Sequence, residues 1–246
     1  MSKLFAFDRP MQSELRQALT QHLRRVIPHW QSTLGLRTAL DIGCGVGYYS
    51  AMLCDLGFQV VAADARATNI VEARSRHPGI DFRVAEAEDS ELSSLGAFDL
   101  VLCLGLLYHL ENPVQVVRSL RALTSKLLLI ESKAVPVEKP FFIIADEPAG
   151  EDQSLEAVSC YPSEGAIVKM CYRAGFPNVY RFRELPDHEN YVAAIDRKPT
   201  RTMIAASLLP LNSPLIEVAP EPSLSRDGRT TDPNEVAKMP RRLRRH

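Results

Sequence analysis

The stretch TALDIGCGVGYYSAML, residues 38–53, decides how the rest of the chain is read. An apolar run over 38–42 is followed by Gly43, Gly45 and Gly47, and then by a segment of helical periodicity. Glycine loses more freedom on folding than any other residue, so such a cluster marks backbone that bends sharply or approaches a ligand. Strand, glycine turn and helix in this order place backbone N–H groups at a helix N-terminus, in the crevice at the carboxyl end of a sheet.

Read outward, the alternation repeats. Strand-type runs fall at 38–42, 59–63, 81–84, 100–104 and 127–131, with helical patterns at 47–56, 67–76, 90–95 and 113–123 between them. This specifies a parallel sheet with crossover helices. Upstream, Leu15, Leu19, Leu23, Val26 or Ile27, and Trp30 recur at steps of three and four, which predicts an amphipathic helix from Met11 that ends near Pro28. Downstream, a helix over 163–174 stops at Gly175 and Pro177, and a strand follows at 179–184, parallel to the first five. The last strand is expected at 201–208 (RTMIAASL), with 191–195 as the competing placement. The expected fold is α/β: a Rossmann-like, doubly wound, seven-stranded sheet, mostly parallel with one antiparallel strand, and helices on both faces.

Two segments leave the pattern. Residues 132–162 hold four prolines and the pair Phe141 and Phe142. A connection that long is usually functional, and this one is expected to be a substrate-side lid, with Tyr161 lining the same pocket. Past Leu211 the periodicity stops, prolines multiply and the chain closes on RRLRRH. The domain plan is therefore an N-terminal helical segment (1–35), an α/β domain (36–211) with an insert at about 132–162, and a disordered basic tail (212–246).

Composition bounds the rest. The chain has 246 residues, 46% of them apolar, enough for one α/β domain. A net charge of -1 exerts no global pull towards nucleic acid or membrane. No apolar run approaches the roughly 20 residues that span a bilayer, and MSKLFAFDRP lacks the apolar core of a secretory signal. The five cysteines (Cys44, Cys54, Cys103, Cys160, Cys171) are an odd count without a CxxC pair, which argues against disulfides or a zinc site and for a reducing cytosol. Cys54 and Cys103 lie in apolar segments and are expected to be buried. A cytoplasmic chain without membrane contact is the expectation.

The ligand follows from spacing. A dinucleotide fingerprint, GxGxxG counted from Gly43, needs its third glycine where Tyr48 stands; here it comes one residue early, at Gly47. Asp41, just before the loop, is badly placed beside a pyrophosphate but suits an ammonium group. Asp64 closes the next strand, where an acidic residue accepts hydrogen bonds from both ribose hydroxyls. Ala85–Glu86–Ala87 ends the third strand, where a carboxylate and a backbone N–H can read an adenine edge. Ammonium, ribose and adenine together describe S-adenosylmethionine better than NAD.

Here the sequence resembles the class I S-adenosylmethionine-dependent methyltransferases, from residue 38 to 131 and more loosely to 208. LDIGCGVG (40–47), VVAAD (60–64), FRVAEAED (82–89) and FDLVLCLGLLYHLENP (98–113) carry the resemblance in that order. It implies that Asp41, Gly43, Cys44 and Gly45 line the methionine end of S-adenosyl-L-methionine. It also implies that Asp64, with Ala65 after it, holds the ribose, that Glu86 and Ala87 face adenine, and that Leu104 packs on it. Glu86 departs from the family, which usually has Asp there. The fourth stretch looks closest to a subgroup that includes tRNA wobble-uridine carboxymethyl-transferring enzymes and many small-molecule or sugar O-methyltransferases.

Methyl transfer from a sulfonium is an in-line displacement that needs alignment, exclusion of water, and a base only for a protonated hydroxyl. His109, after the fourth strand, is the candidate base, because an imidazole titrates near neutrality. His188, in PDHENY (186–191), lands on the same face as a second candidate. The DPPY-type segment of base amino-methylation, the Pro-Cys pair of cytosine-C5 enzymes and a magnesium-holding carboxylate cluster after strand four are all missing. The expected activity is O-methylation of a small hydroxylated metabolite or glycan. The alternatives are an RNA-modifying enzyme, to which the basic tail would point, and a non-catalytic cofactor-binding protein; an NAD oxidoreductase is disfavoured by Tyr48.

Overall fold

β1 (Thr38–Ile42) runs through the interior of the sheet, with β2 (Gln59–Asp64) and β4 (Phe98–Leu104) parallel on either side. A strand covered on both faces is mostly apolar, and Ala39, Leu40 and Ile42 are buried accordingly, with Asp41 the buried exception. The computed structural model describes residues 10–147, 158–192 and 200–223. Its main sheet also contains β3 (Asp81–Val84), β5 (Thr124–Ala134), β8 (Asn178–Phe182), β9 (Thr200–Ser207) and β10 (Ile216–Val218), in the order β10-β8-β9-β5-β4-β1-β2-β3. β9 is antiparallel to both β5 and β8, so β8 points the same way as the first five strands.

Helices cover both faces. α1 (Pro10–Leu34) and α2 (Tyr48–Asp55) share an apolar cluster with one face, and α3 (Ala67–Arg76) packs Ile70 and Ala73 on Ala62 and Phe82 of the same side. α4 (Pro113–Leu123) and α5 (Glu164–Ala174) bury Val116, Val117, Leu120, Ile167, Val168 and Cys171 on the other. Local signals set the ends. Asn112 caps α4 by accepting the Gln115 N–H, with Pro113 in the first turn, and Ser163 caps α5 by accepting that of Ala166.

Five expectations need correction. Among the described residues the sheet has eight strands, not seven, because Ile216–Val218 adds an antiparallel edge to β8. For the same reason residues 212–223 are not tail: Ala219 is fully buried and Tyr172 donates its hydroxyl hydrogen to the Ala219 carbonyl. The rest of the expected tail, 224–246, lies outside the described residues. α1 does not end at Pro28 but continues to Leu34. A proline inside a helix costs about 3 kcal/mol, and burial of Val26, Ile27 and Trp30 around it offsets that, with the Trp30 indole edge-on to Phe182 at 5.9 Å. The insert is not structureless, for β6 (Phe142–Asp146) and β7 (Val158–Pro162) pair as an antiparallel hairpin of their own. Finally Cys54 is exposed, since α2 turns Ser50, Met52 and Leu53 inward and leaves Cys54 on its outer side; Cys103 is buried as expected.

The insert is rooted firmly. The Val135 N–H donates to the Pro162 carbonyl, and the Glu164 N–H to that of Val135, so the two ends of the segment meet. Gly165 makes this approach feasible: a Cβ there would sit 1.7 Å from the Glu138 carbonyl oxygen.

Candidate active site

The loop after β1 is built on left-handed glycines, with φ of 74°, 55° and 85° at Gly43, Gly45 and Gly47. Gly43 and Cys44 both donate N–H to the Ala63 carbonyl, at 2.8 and 3.0 Å, which folds the loop over the end of β2. Asp64 locks it there. Its Oδ2 accepts the Gly45 N–H at 2.9 Å, and its Oδ1 accepts the Arg66 N–H at 2.9 Å and the Asn69 amide at 3.0 Å. Gly47 serves packing, since a Cβ there would lie 2.6 Å from the Phe82 ring.

Beneath the loop Asp41 is 1% exposed and accepts the Ser50 hydroxyl hydrogen at 2.6 Å. Burial pushes its carboxyl up to about 6, the Ser50 hydrogen bond pulls it down, and the nearby Asp64 charge adds to the rise. Asp41, Gly43, Cys44, Gly45 and Asp64 thus surround one loop. Ala65, Glu86, Ala87 and Leu104 follow or end β2, β3 and β4 on the same edge of the sheet. Glu86 is exposed, Ala87 is buried in the cluster facing α4, and Leu104 is buried in the cluster facing α1.

Beside this loop, at the ends of β4, β5 and β9, lies a buried polar network that the sequence does not announce. Arg201 of β9 donates from Nη1 to both carboxylate oxygens of Glu131 on β5, at 2.7 and 2.8 Å. Its Nη2 donates to the Tyr108 hydroxyl at 3.1 Å, and Tyr191 donates its own to Glu131 at 3.0 Å. Burial works against the Arg201 charge, but the Glu131 carboxylate together with the Tyr108 and Tyr191 phenols outweighs it and holds the guanidinium above its ordinary value. Burial raises the Tyr108 and Tyr191 phenols, so both stay protonated. Tyr161 of β7 stacks on Tyr108 with ring planes 11° apart, and the Lys133 ammonium sits 5.1 Å from the Tyr108 ring centre.

His109 closes a short 3-10 turn, Leu107–His109, between β4 and α4. Its Nδ1 lies 3.2 Å from Oε1 of Glu147. Glu88 holds the chain that follows, accepting N–H groups from Glu111 and Asn112 at 3.3 and 2.6 Å. His188 has a different role: its Nδ1 accepts the Asn190 N–H at 3.1 Å and caps the 3-10 turn Glu189–Tyr191. Of the aromatic residues expected to form a lid, Phe141 is half-buried and Phe142 is 36% exposed, while Tyr161 meets Tyr108. Burial raises the thiols of Cys44, Cys103 and Cys171, the last to about 12, so they stay protonated and inert.

Residues 40–126 match the family described as methyltransferase domain. Over those residues the chain is similar to that family. Among curated proteins, it is 32% identical over 115 residues to a ubiquinone biosynthesis O-methyltransferase of Xanthomonas axonopodis pv. citri, covering 44% of this chain and 48% of that protein. It is 24% identical over 159 residues to a tRNA U34 carboxymethyltransferase of Campylobacter jejuni, covering 61% of this chain and 53% of that protein. The chain thus spans about half the length of the curated relatives it matches. The N-terminal domain of EvdMO1 with SAH bound superposes with a TM-score of 0.60 at 18% identity, over 75% of this chain and 79% of that one. Magnesium protoporphyrin IX methyltransferase from Synechocystis PCC 6803 with bound SAM gives 0.54 at 18% identity, over 81% and 84%. At that identity the two structures establish a shared fold alone.

Proposed function

We propose that the chain is a methyltransferase that binds S-adenosyl-L-methionine and transfers its methyl group to a hydroxyl oxygen of a small acceptor. The observation that carries the reading is the glycine loop, folded over β2 by Ala63 and Asp64 with the Asp41 carboxyl buried beneath it. The residues fit the cofactor. A buried carboxyl held near 6 is readily ionised by a cation, which suits the ammonium of the methionine end. Asp64 already spends three of roughly four acceptor sites on protein N–H groups. It therefore takes one ribose hydroxyl through Oδ2 rather than both. Ala65, the Glu86–Ala87 backbone and Leu104 border the nucleoside. When bound, the cofactor supplies an electrophilic methyl group on a sulfonium.

The chain's own residues do the rest. His109 accepts the hydroxyl proton, while Tyr108, Tyr161 and Lys133 line the acceptor side and exclude water. The Glu131–Arg201 pair fixes the Tyr108 hydroxyl from below. A phenolic or quinol acceptor agrees with the ubiquinone biosynthesis relatives. An RNA acceptor is the second reading, favoured by the match to the tRNA U34 protein, which runs over more of this chain.

Calorimetry with S-adenosylhomocysteine and with NAD tests cofactor choice: micromolar binding of the first and none of the second is expected, and the reverse overturns the reading. Incubation with methyl-labelled cofactor and separate quinol, sugar and tRNA acceptors tests the substrate. Label on tRNA alone replaces the small-molecule reading with the second.

A further inference from the structure

Tyr108 is 3% exposed, and its hydroxyl is engaged on one side only. Arg201 Nη2 approaches Oη at 3.1 Å. A guanidinium offers no lone pair, so Oη is the acceptor in that bond and its own hydrogen points elsewhere. The Glu131 oxygens are taken up otherwise: Oε1 accepts from Arg201 Nη1 and from the Tyr191 hydroxyl, and Oε2 accepts from Arg201 Nη1. Among the described residues no atom accepts the Tyr108 hydroxyl hydrogen, and burial keeps that hydrogen in place by raising the phenol. A buried donor without an acceptor costs free energy, and a ligand atom is one way to supply the partner. The turn that carries Tyr108 abuts the glycine loop, since a Cβ on Gly43 would lie 3.0 Å from the side chain of Leu106, two residues earlier. Tyr161 of the hairpin covers the ring, with centroids 5.8 Å apart. The charges around Tyr108 are the Arg201–Glu131 pair from β9 and β5, the Lys133 ammonium of β5 at 5.1 Å from the ring centre, and His109 on the same turn with the Glu147 carboxylate beside it; the neighbouring phenols are Tyr161 and Tyr191.

We propose that the Tyr108 hydroxyl is a catalytic donor that holds the nucleophilic oxygen of the acceptor, and that this acceptor is a phenol-type hydroxyl taken as its anion. The inference rests on the reading of the chain as an O-methyltransferase. A hydrogen bond is stronger to a charged oxygen than to a neutral one, so a donor already aimed at the site favours the ionised acceptor by about tenfold. An aliphatic alcohol, which ionises far from neutrality, gains nothing from it. A phenolate accepts the Tyr108 hydrogen on one lone pair and keeps another for the methyl group. On binding, the acceptor O–H bond breaks and its proton passes through His109 to water. In the transfer that free lone pair forms the O–CH3 bond as the C–S bond breaks, the electron pair of the latter going to sulfur. The negative charge on oxygen and the positive charge on sulfur cancel. Tyr108 is left donating to a neutral ether, a weaker acceptor, which eases release of the product.

The test uses the full chain with S-adenosylhomocysteine and 4-nitrophenol, whose anion absorbs in the visible, so that ionisation of the bound phenol is read without turnover. In the wild type the bound phenol is expected to ionise about one pH unit below the free one, which is the tenfold preference for the anion. Y108F keeps the ring and its stack on Tyr161 and removes only the hydroxyl. It is expected to return the bound phenol to the ionisation of the free one and to bind S-adenosylhomocysteine as tightly as the wild type. With a quinol acceptor and methyl-labelled cofactor, its kcat/KM should fall about tenfold. A hydroxyl that merely held the network together, or bonded only to water, would leave the bound phenol ionising alike in both proteins, and that result overturns the proposal. So does a wild type that binds 4-nitrophenol in neither form. Weaker S-adenosylhomocysteine binding in Y108F, with the phenol titration unchanged, would give the hydrogen to the cofactor instead and overturns it as well. Label transferred to tRNA alone overturns the reading of the function, and the proposal with it, whatever the phenol does.

Discussion

Replacing Gly47 with alanine separates two reasons for a glycine at the loop. Gly47 and Gly57 both hold φ at 85°, so a side chain at either meets the same backbone penalty, about 1–2 kcal/mol. Their surroundings differ. A Cβ on Gly47 would lie 2.6 Å from Cζ and 2.9 Å from Cε1 of Phe82, whereas among the described residues nothing lies within 4 Å of one on Gly57. The Phe82 ring is 2% exposed and packed with Cys44, Ala62, Ile70 and Ala73, so it has nowhere to swing. Overpacking of a dense core adds about 1–3 kcal/mol. G57A should therefore lose about 1–2 kcal/mol and G47A about 2–5 kcal/mol. Urea unfolding followed by the fluorescence of the single tryptophan, the buried Trp30, reads both. Equal losses would refute the packing argument and leave Gly47 a purely conformational role.

Three further outcomes are expected. Asp64→Ala should cost at least about 3 kcal/mol of folding stability as well as cofactor affinity, because it strips three N–H groups of their acceptor; an unchanged urea midpoint would show that water replaces the carboxylate. Asp41, raised from 3.8 to about 6 by burial, opposes folding increasingly as pH rises through that window, since the ionised form is the disfavoured one. A cation bound beside it favours that ionised form, so cofactor binding should release up to one proton near pH 6 and weaken by up to about tenfold per pH unit below it. Calorimetry in buffers of different ionisation enthalpy reads this, and no proton release between pH 5 and 7 would remove Asp41 from the cofactor site. Truncation after Leu211 should lower the melting temperature, because it removes β10 and the buried Ile216 and Ala219; an unchanged melting curve would mean the edge strand contributes nothing.

What was legible in the sequence was local. The bounds of β1, α3 and α4 follow from apolar runs and caps that lie within a few residues of one another, and the glycine loop with Asp41 and Asp64 sits on that pattern. Glu131 and Arg201 were not legible as a pair, because they are 70 residues apart and each lies inside an apolar strand where a charge reads as the end of the run. β5 accordingly continues past Glu131 to Ala134, along β9, once the charge is neutralised. The hairpin strands were hidden for another reason. β6 exposes Phe142, Ile143 and Ile144 in succession, so no alternation marks it. The structural role of Asp64 was hidden too, because its three donors come from a loop, a backbone turn and a helix that only the fold assembles.

The closed root of the insert has a consequence for how such a scaffold changes its acceptor. Val135 and Glu164 are joined through backbone hydrogen bonds, so the chain between them leaves and returns at one point. Lengthening or exchanging a loop with abutting ends alters its closure entropy only logarithmically. The segment can therefore change length between its joined ends at little entropic cost, and the contact a replacement would have to reproduce is the Tyr161–Tyr108 stack that ties it to the network at the ends of β4, β5 and β9.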